Sequence, residues 1–347
     1  MLLDRFPRVS LAHAPTPLEP LDRLRGVVGG PRLWIKRDDC TGLAQGGNKA
    51  RKLEFLVADA LAQGCDTLIT PGAVQSNHVR MTAAAAARFG LKAHAVLERR
   101  VTETNADYEE NGNILLDELF GCARTYVPGG SDVAAACVAV ADDLRAKGAK
   151  PYIIAGGGSD PVGALGYVAC AIELLAQASE LGIRVTRLVH GTGSSGTQAG
   201  LVAGFAVLKS PVEVFGVSVR HPREKQEAMV FDLACRTADH LGHGGAVRRE
   251  QVFADDGHVG PGYGLPTSGM VDALTLLART EGILLDPVYS GKAMAGLIDH
   301  IRRGTFRDDE DIVFLHTGGS TALFGYKHLF LNSSPGAHDR AVARQSA

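Results

Sequence analysis

Short apolar runs rich in β-branched residues alternate along the chain with stretches of helical periodicity. Strands are predicted at 66–70, 93–97, 152–155, 187–190, 212–219 and 311–315. Helices are predicted between them, at 53–61, 79–89 and 198–207, where alanine, leucine and valine recur at helical spacing. This alternation is typical of right-handed crossovers and a mostly parallel sheet. We therefore predict an α/β fold with open, mostly parallel sheets flanked by helices.

Composition narrows the class of protein. A chain of 347 residues is long enough for about two domains. With 36 basic and 38 acidic residues the net charge is −2, which gives no electrostatic reason to expect a nucleic-acid or anionic-membrane partner. Hydrophobic residues make up 45% of the chain and charged residues 21%, which excludes a largely disordered protein.

The cysteines and the chain ends indicate a compartment. The six cysteines are far apart and form no CxxC pair, so neither a disulfide framework nor a metal site is expected. The first residues, MLLDRFPR, lack the apolar run of a signal peptide, and no uncharged apolar stretch reaches about 18 residues. We expect a cytoplasmic protein without a membrane segment. The polar residues 332–347 have no periodicity and are expected to fray.

The turn GGNKARK at 46–52 precedes a clear amphipathic helix. Asn48 is predicted to cap that helix, which places Lys49 in its first turn. The positive end of the helix macrodipole favours a neutral amine there, and a neutral lysine is the form that makes a Schiff base. The alternative, from charge alone, is that Lys49, Arg51 and Lys52 form a solvated basic edge.

A second turn, GAVQSNH at 72–78, lies between a strand and a helix. Ser76, Asn77 and His78, together with backbone N–H groups, make a donor-rich cradle suited to a carboxylate. His78 is also able to carry a proton. Ordinary helix capping explains the serine and the asparagine about equally well.

A third turn, HGTGSSGT at 190–197, follows a predicted strand and opens a helix, which makes it a candidate phosphate site. It also spells GxGxxG, with Glu213 about twenty residues further on, so a NAD-dependent dehydrogenase is an alternative. Against that alternative, Glu213 lies at the start of the predicted strand, whereas the dinucleotide pattern requires its end. The hydroxyls in this turn also suit a terminal phosphate better than a pyrophosphate. A tight turn that binds nothing is the remaining interpretation.

Two further turns, DPVYSGK at 286–292 and HTGGS at 316–320, add aromatic and hydroxyl groups. Tyr289 is able to pack on a ring, and Ser290 or Thr317 to place a hydroxyl at a ring nitrogen. Tyr263, in the Gly-rich stretch GPGYGLP, offers a second tyrosine. Each is more often an ordinary core or turn residue. Together, a reactive lysine, a phosphate cradle and ring-sized aromatics are what pyridoxal phosphate requires.

The motifs GGNKARKLEF, QSNHVR, GTGSSGTQAG, GYGLP, DPVYSGK and HTGGSTALF occur in this order between residues 5 and 330. Together they resemble the pyridoxal-phosphate group that contains D-cysteine desulfhydrase, aminocyclopropane-carboxylate deaminase and L-cysteate sulfo-lyase. The resemblance implies fold type II, similar to the tryptophan synthase β chain. It implies a small domain at 47–158 inserted into a large domain made of 1–46 and 159–347, and a homodimer.

The resemblance also implies roles for individual residues. Lys49 resembles the Schiff-base lysine, and Asn77 the residue that hydrogen-bonds the cofactor's phenolic oxygen. The residues that resemble the phosphate cradle are Gly193, Ser194, Ser195, Gly196 and Thr197. Those that resemble the ring-packing tyrosine, the second active-site tyrosine and the substrate-carboxylate cradle are Tyr289, Tyr263, and Ser76 with Asn77 and His78.

One departure from the deaminase pattern favours a particular reaction. The deaminase has a glutamate directly after the tyrosine, where it pairs with a protonated ring nitrogen, and this chain has Ser290 there. A hydroxyl partner leaves the ring a weaker electron sink. Opening a cyclopropane needs extensive delocalisation, whereas β-elimination can expel its leaving group early. Ser290 therefore favours β-elimination.

The substrate is predicted from local likeness and from charge. The stretches 34–43 and 224–228 look most like L-cysteate sulfo-lyase, and a sulfonate needs cationic or multiple donors. Residues that could supply them, or form only a solvated basic turn, are Arg220, His221, Arg223 and Lys225. We predict conversion of L-cysteate to pyruvate, sulfite and ammonia, with Lys49 as the base at Cα. The alternatives are a D-cysteine desulfhydrase, the dehydrogenase and a non-catalytic binding protein.

Overall fold

The computed structural model describes residues 2–102 and 104–331, which form two sheets covered by helices. The strands are β1 (Leu18–Pro20), β2 (Arg32–Arg37), β3 (Thr67–Ala73), β4 (Lys92–Arg99), β5 (Ala123–Pro128), β6 (Pro151–Ile153), β7 (Val185–Thr192), β8 (Glu213–Ser218), β9 (Val252–Asp255) and β10 (Asp311–His316). The helices are α1 (Asp22–Val28), α2 (Lys49–Ala62), α3 (Asn77–Arg88), α4 (Ala106–Glu110), α5 (Asn113–Leu119), α6 (Val133–Ala146), α7 (Pro161–Leu181), α8 (Gly196–Val207), α9 (Arg223–His240), α10 (Ser268–Glu281), α11 (Ser290–Arg302) and α12 (His328–Leu331). Residues 332–347, which were expected to fray, lie outside the described residues.

The two sheets are almost entirely parallel. The larger one has the strand order β1-β2-β10-β7-β8-β9, with only the edge strand β1 antiparallel to its neighbour. The smaller one has the order β5-β4-β3-β6, with every pair parallel. This architecture confirms the predicted α/β class. The strands of the smaller sheet lie within the range predicted for the small domain, whose boundaries stay a prediction.

Every predicted strand overlaps an observed one, but several strands were not predicted. The inner strand β2 reads RLWIKR, where charged residues surround the buried Leu33 and Ile35. Its Lys36 is buried as well, because the amine pairs with Glu173 of α7. A buried ion pair of this kind breaks the apolar run by which an inner parallel strand is recognised.

The long helix α7 lies in the interior, between α2 and α8. A Cβ atom on Gly166 would lie 2.3 Å from the Arg51 carbonyl oxygen, and one on Gly200 would lie 2.3 Å from that of Ala164. By length and composition alone, the segment Gly156–Leu181 could cross a membrane, although charged residues such as Glu173 interrupt its apolar run. Its close packing against neighbouring helices explains its apolar composition as that of a core helix.

Buried ion pairs fix the start of α2. Arg51 is 1% exposed and Lys52 is 0% exposed, so the interpretation of this stretch as a solvated basic edge was wrong. The Arg51 guanidinium donates to both carboxylate oxygens of Asp38, at 2.9 and 2.8 Å, and pairs with Glu173 at 2.9 Å. Asp38 directly follows β2 and Glu173 lies on α7. The helix that begins with Lys49 is thereby anchored to the larger sheet.

Candidate active site

A cavity of about 720 Å³ lies at the C-terminal ends of the strands of both sheets. This is the edge at which open α/β sheets bind ligands. The predicted residues that line it are Lys49, Ser76, Asn77, His78, Gly193, Ser194, Ser195, Thr197, Tyr263, Tyr289 and Thr317. Two predicted site residues, Gly196 and Ser290, lie directly beside it without lining it.

Lys49 is the first residue of α2, and the pKa of its amine is below that of an ordinary lysine. Burial lowers the pKa of Lys49 to about 8, and the positive charge of Arg80 adds to this, while Asp286 opposes it. The lowered pKa agrees with the prediction, but its largest cause is burial and not the helix macrodipole on which the prediction rested. Such an amine gives a substantial neutral fraction near physiological pH, which Schiff-base chemistry requires.

Asn48 does not cap α2 as predicted. Its backbone is helical and its side chain makes no capping hydrogen bond. Instead, its Nδ2 donates to the hydroxyl of Thr197 at 2.9 Å, because the turn brings it against the start of α8. Its Oδ1 accepts from the amine of Lys49 at 3.1 Å. Asn48 therefore links Lys49 to the predicted phosphate cradle.

The cradle itself has a strained backbone. Ser195 has a φ of +73°, a left-handed conformation that side-chain-bearing residues rarely adopt. The next residue, Gly196, begins α8, and a Cβ atom there would lie 2.7 Å from the Ser159 hydroxyl and 2.8 Å from the Lys52 amine. The turn thus places Ser194 and Ser195 in the cavity wall at a helix N-terminus, where an anion is favoured.

Lys52 provides a second sign that the cradle at the start of α8 suits an anion. Its amine is buried and donates to the carbonyl of Gly157 at 3.0 Å, and no carboxylate of the described residues lies within ion-pair distance. Burial, with the charge of Lys49, holds the pKa of Lys52 well below its usual range. An uncompensated buried ammonium is costly, and a phosphate in the adjacent cradle would compensate it. Sequence analysis missed Lys52 because local charge gives no sign of burial.

Asn77 is oriented by two neighbours that the sequence did not single out. Its Oδ1 accepts from Arg80 at 3.0 Å and from the amide of Asn113 at 3.1 Å. Arg80 is fully buried, and its guanidinium also donates to Asn113 and to the carbonyl of Gly46. With its oxygen held in this way, Asn77 has its amide nitrogen left to donate to an acceptor in the cavity. A cofactor's phenolic oxygen is such an acceptor.

Ser76 and His78 begin α3 beside Asn77. The Ser76 hydroxyl accepts from the backbone N–H of Val79 at 3.2 Å, so it does cap the helix as the structural alternative proposed. His78 shares a hydrogen bond with the Thr70 hydroxyl at 2.8 Å. Burial and the nearby lysines hold the pKa of His78 well below its usual range, so the ring is neutral. His78 therefore supplies no positive charge to a bound carboxylate.

The two tyrosines meet in the cavity. The hydroxyl oxygens of Tyr263 and Tyr289 lie 2.7 Å apart, and their rings pack edge to face. Ser290 is turned away: its hydroxyl donates to the carboxylate of Asp286 at 2.6 Å. In this arrangement it is not directed at a ring in the cavity, so its predicted contact with the ring nitrogen stays a prediction. Thr317, the other hydroxyl predicted for that contact, lines the cavity.

The dinucleotide alternative is not supported by the geometry. Glu213 is the first residue of β8 and pairs with Arg187. Strand β8 is parallel to β7, whose C-terminal end leads into Gly193. Glu213 therefore lies at the opposite edge of the sheet from the phosphate cradle and cannot contact a ribose bound there.

Comparison with known proteins agrees with this site. A family model described as pyridoxal-phosphate dependent enzyme matches residues 9–318. The chain is 47% identical over 324 residues to proteins named D-cysteine desulfhydrase from Salmonella choleraesuis (strain SC-B67) and Salmonella typhi, covering 93% of this chain and 97% of each relative. A crystal structure of an ACC deaminase homologue has 37% identity and a TM-score of 0.86, covering 95% of this chain and 97% of that one.

A more distant structure shares only the fold. A hydrogen sulfide-producing enzyme from Fusobacterium nucleatum is 15% identical with a TM-score of 0.62, covering 92% of this chain and 98% of that one. Lys49, the cradle at Ser195 and the oriented amide of Asn77 all lie inside the range of the family match. The protein uses pyridoxal phosphate, and its chain belongs to the family of pyridoxal-phosphate dependent enzymes.

Proposed function

We propose that this protein is a carbon–sulfur lyase that converts D-cysteine to pyruvate, sulfide and ammonia by β-elimination. The observation that carries the proposal is Lys49, whose amine has a pKa of about 8 and lies beside a built anion cradle. The relatives at 47% identity named D-cysteine desulfhydrase support the substrate. Sequence analysis placed L-cysteate first and D-cysteine second, and the relatives support the reverse order.

Lys49 has two tasks in this reaction. Bound pyridoxal phosphate supplies an aldehyde that condenses with amino groups and a ring that draws electrons from Cα. The amine of Lys49 holds the cofactor, and the same nitrogen, basic near neutral pH, takes the proton from Cα of the substrate. The Cα–H and Cβ–S bonds break, a Cα=Cβ bond forms, and sulfur leaves with the bonding electron pair. Water then converts the aminoacrylate to pyruvate and ammonia without any oxidation.

The start of α3 supports binding of the substrate carboxylate. The first backbone N–H groups of a helix have no partner within it, and those of Asn77 and His78 begin α3. Ser76 and His78 both line the cavity beside these N–H groups. A carboxylate fixed there orients the Cα–H bond relative to the cofactor ring, which decides which bond is weakened.

L-cysteate remains a second candidate because of the charges at the cavity mouth. The guanidinium carbons of Arg100 and Arg220 lie 5.2 and 5.9 Å from the ring centre of Tyr263. Arg100 pairs with Glu98, whereas Arg220 is exposed and has no carboxylate within ion-pair distance among the described residues. An unpaired arginine at the mouth suits a substrate whose side chain is an anion, such as a sulfonate.

Assays of the purified holoenzyme with D-cysteine, L-cysteine and L-cysteate distinguish the two candidates. We expect sulfide and pyruvate from D-cysteine at a rate at least about 10-fold above the rate of sulfite release from L-cysteate, a barrier difference of roughly 1.4 kcal/mol. Sulfite from L-cysteate without sulfide from D-cysteine would reverse the order. Arg220→Gln should lower turnover of L-cysteate only.

Lys49→Ala tests the chemistry. It should abolish turnover of either substrate and remove the borohydride-sensitive absorbance of the bound cofactor, because Lys49 is the one lysine among the described residues that lines the cavity. The exposed Lys150→Ala is the matched control and should behave as wild type. An active Lys49→Ala variant would show that the wrong lysine has been assigned.

A further inference from the structure

A lysine behind the cavity contacts the loop that carries Tyr263. Lys292 lies in the first turn of α11, three residues after Tyr289, and is fully buried. Its amine donates to the carbonyl oxygens of Val259 at 2.6 Å and of Gly262 at 3.0 Å. Both carbonyls belong to the segment 256–267, which connects β9 to α10. Lys292 itself does not line the cavity.

The position of Lys292 is unfavourable for a cation in every other respect. It is buried, and no carboxylate lies within ion-pair distance of its amine in the part of the chain that is described. The N-terminal turn of a helix also repels positive charge. Burial accordingly lowers the pKa of Lys292 to about 8. A buried apolar side chain would serve the core better, so what Lys292 provides is its contact with the two carbonyls.

The loop that accepts these hydrogen bonds has few others. Four of its residues are glycines, and those at 260, 262 and 264 have positive φ angles, so the chain there is intrinsically flexible. Its internal backbone hydrogen bonds, from Val259 to Asp256 and from Leu265 to Gly262, are both long at 3.3 Å. The hydroxyl of Tyr326 also donates to the carbonyl of Gly264 at 2.8 Å. Other contacts from outside are at the start of the loop, where the backbone N–H of Arg223 donates to Asp256 at 2.9 Å and His258 lies 3.3 Å from Asp299.

The two carbonyls lie in the part of the loop that directly precedes Tyr263. Gly262 directly precedes Tyr263, whose hydroxyl lies 2.7 Å from that of Tyr289. The start of α11 therefore presents one tyrosine to the cavity and, through Lys292, holds the loop that brings the other. We propose that Lys292 is a positioning residue: its ammonium group, held between two loop carbonyls, keeps Tyr263 against Tyr289 in the active site.

Replacing the lysine and returning its amine separately tests this role. Lys292→Ala removes a propylammonium group, so n-propylammonium can occupy the space that is left. Lys292→Met fills the space without a donor and should not admit the amine. The matched surface control is Lys147→Ala, at an exposed ion pair on α6. Two readouts are needed: turnover of the substrate that the wild type accepts, and hydrogen exchange of the peptide spanning 256–267.

We expect Lys292→Ala to lose about 10- to 100-fold in kcat, the effect of a misplaced active-site group, and to show faster exchange in the loop. Added n-propylammonium should restore both, and n-propanol neither. Lys292→Met should show the same losses without rescue. Wild type and Lys292→Met are assayed in the same amine, which corrects for the reaction of that amine with the cofactor aldehyde.

Wild-type exchange and turnover in a folded Lys292→Met protein would overturn the proposal. So would a folded, cofactor-loaded Lys292→Ala protein that the amine restores in neither readout, because that result indicates a purely structural lysine. If Lys292→Ala fails to fold, the Lys292→Met comparison decides. The activity readout rests on the proposed lyase function, whereas loop exchange does not, so the two proposals fail separately.

Discussion

Three lysines with depressed pKa values lie at or behind the cavity, and their contacts distinguish their roles. Lys49 opens onto the cavity, Lys52 lies against the phosphate cradle, and Lys292 reaches the carbonyls of a loop. Burial is the largest cause of all three shifts. The same physical effect therefore accompanies three different proposed roles, those of a nucleophile, an anion partner and a support for a loop, according to what each amine contacts.

A buried acid outside the cavity has the opposite shift. Both carboxylate oxygens of Asp117, on α5, are buried without a hydrogen-bond partner among the described residues. Burial raises the pKa of Asp117 to about 8, against the opposing charges of Arg124 and Arg80. Between about pH 4 and pH 8 the folded protein holds a proton here that the unfolded chain has lost. This group's contribution to stability is therefore greatest below pH 4 and is lost as the pH rises through 8.

Asp117→Asn should remove that pH dependence. We expect the free energy of unfolding of the variant, relative to wild type, to increase between pH 5 and pH 8 by at least about 1.4 kcal/mol, the equivalent of one pKa unit. Urea denaturation at the two pH values measures it. The free energy of unfolding of the exposed Asp143→Asn variant should differ from that of wild type by the same amount at both pH values. A pH-independent difference for Asp117→Asn would contradict the raised pKa.

At the scale of elements, α3 and α5 cooperate to place one amide. Asn77 begins α3, Arg80 lies one turn further along the same helix, and Asn113 begins α5. A guanidinium can hold Asn77, Asn113 and the carbonyl of Gly46 together because it is a rigid fork of donors. The turn before Lys49 and the start of α3 are thereby fixed relative to each other.

Arg80→Lys keeps the charge but loses the fork. We expect the absorbance maximum of the bound cofactor to shift and kcat to fall by about 10-fold, or roughly 1.4 kcal/mol, since the Asn77 amide is no longer held in one orientation. Absorbance spectra and steady-state kinetics measure the two effects. The exposed Arg88→Lys, in the last turn of α3, is the control. Unchanged spectra and rates in Arg80→Lys would show that the fork does not orient Asn77.

At the scale of the whole molecule, a cofactor bound in the cavity would link the two sheets. The cavity is lined from both, by Asn77 after a strand of the smaller sheet and by Ser194 after a strand of the larger one. Any ligand that contacts both sides stabilises the folded chain by mass action. Because Lys52 is buried with no carboxylate of the described residues within ion-pair distance, we expect the phosphate to be the part of the ligand that stabilises the fold most.

Thermal melts of the cofactor-free protein test the role of the phosphate. We expect pyridoxal phosphate to raise the Tm more than pyridoxal does. Lys52→Met should raise the Tm without ligand, because it replaces a buried amine that has no carboxylate within ion-pair distance among the described residues by an apolar side chain. It should also reduce the extra gain given by the phosphate. Lys147→Met, at an exposed position, should change neither value. Equal gains from the two ligands in wild type would argue against a phosphate at this cradle.

Much of the fold could be predicted from the sequence because it is encoded locally. Apolar β-branched runs marked strands such as β3 and β10, and Gly- and Ser-rich turns marked where those strands end. The strand β2 was not predicted, because its buried Lys36 pairs with Glu173, a residue far away in the sequence. Ser76 caps its helix, as the alternative of ordinary helix capping predicted, and it also lines the cavity.

The sequence by itself determined the α/β class and the turns that line the cavity, and it predicted Lys49 as the reactive amine, since each depends on neighbouring residues. Tertiary structure alone decided that Lys52 and Arg80 are buried, that Asn48 reaches Thr197, and that Ser290 faces Asp286. The physical reason is that burial and charge compensation depend on which distant segments meet. A helix start or a glycine turn is a property of adjacent residues, whereas the partner of a buried cation is not.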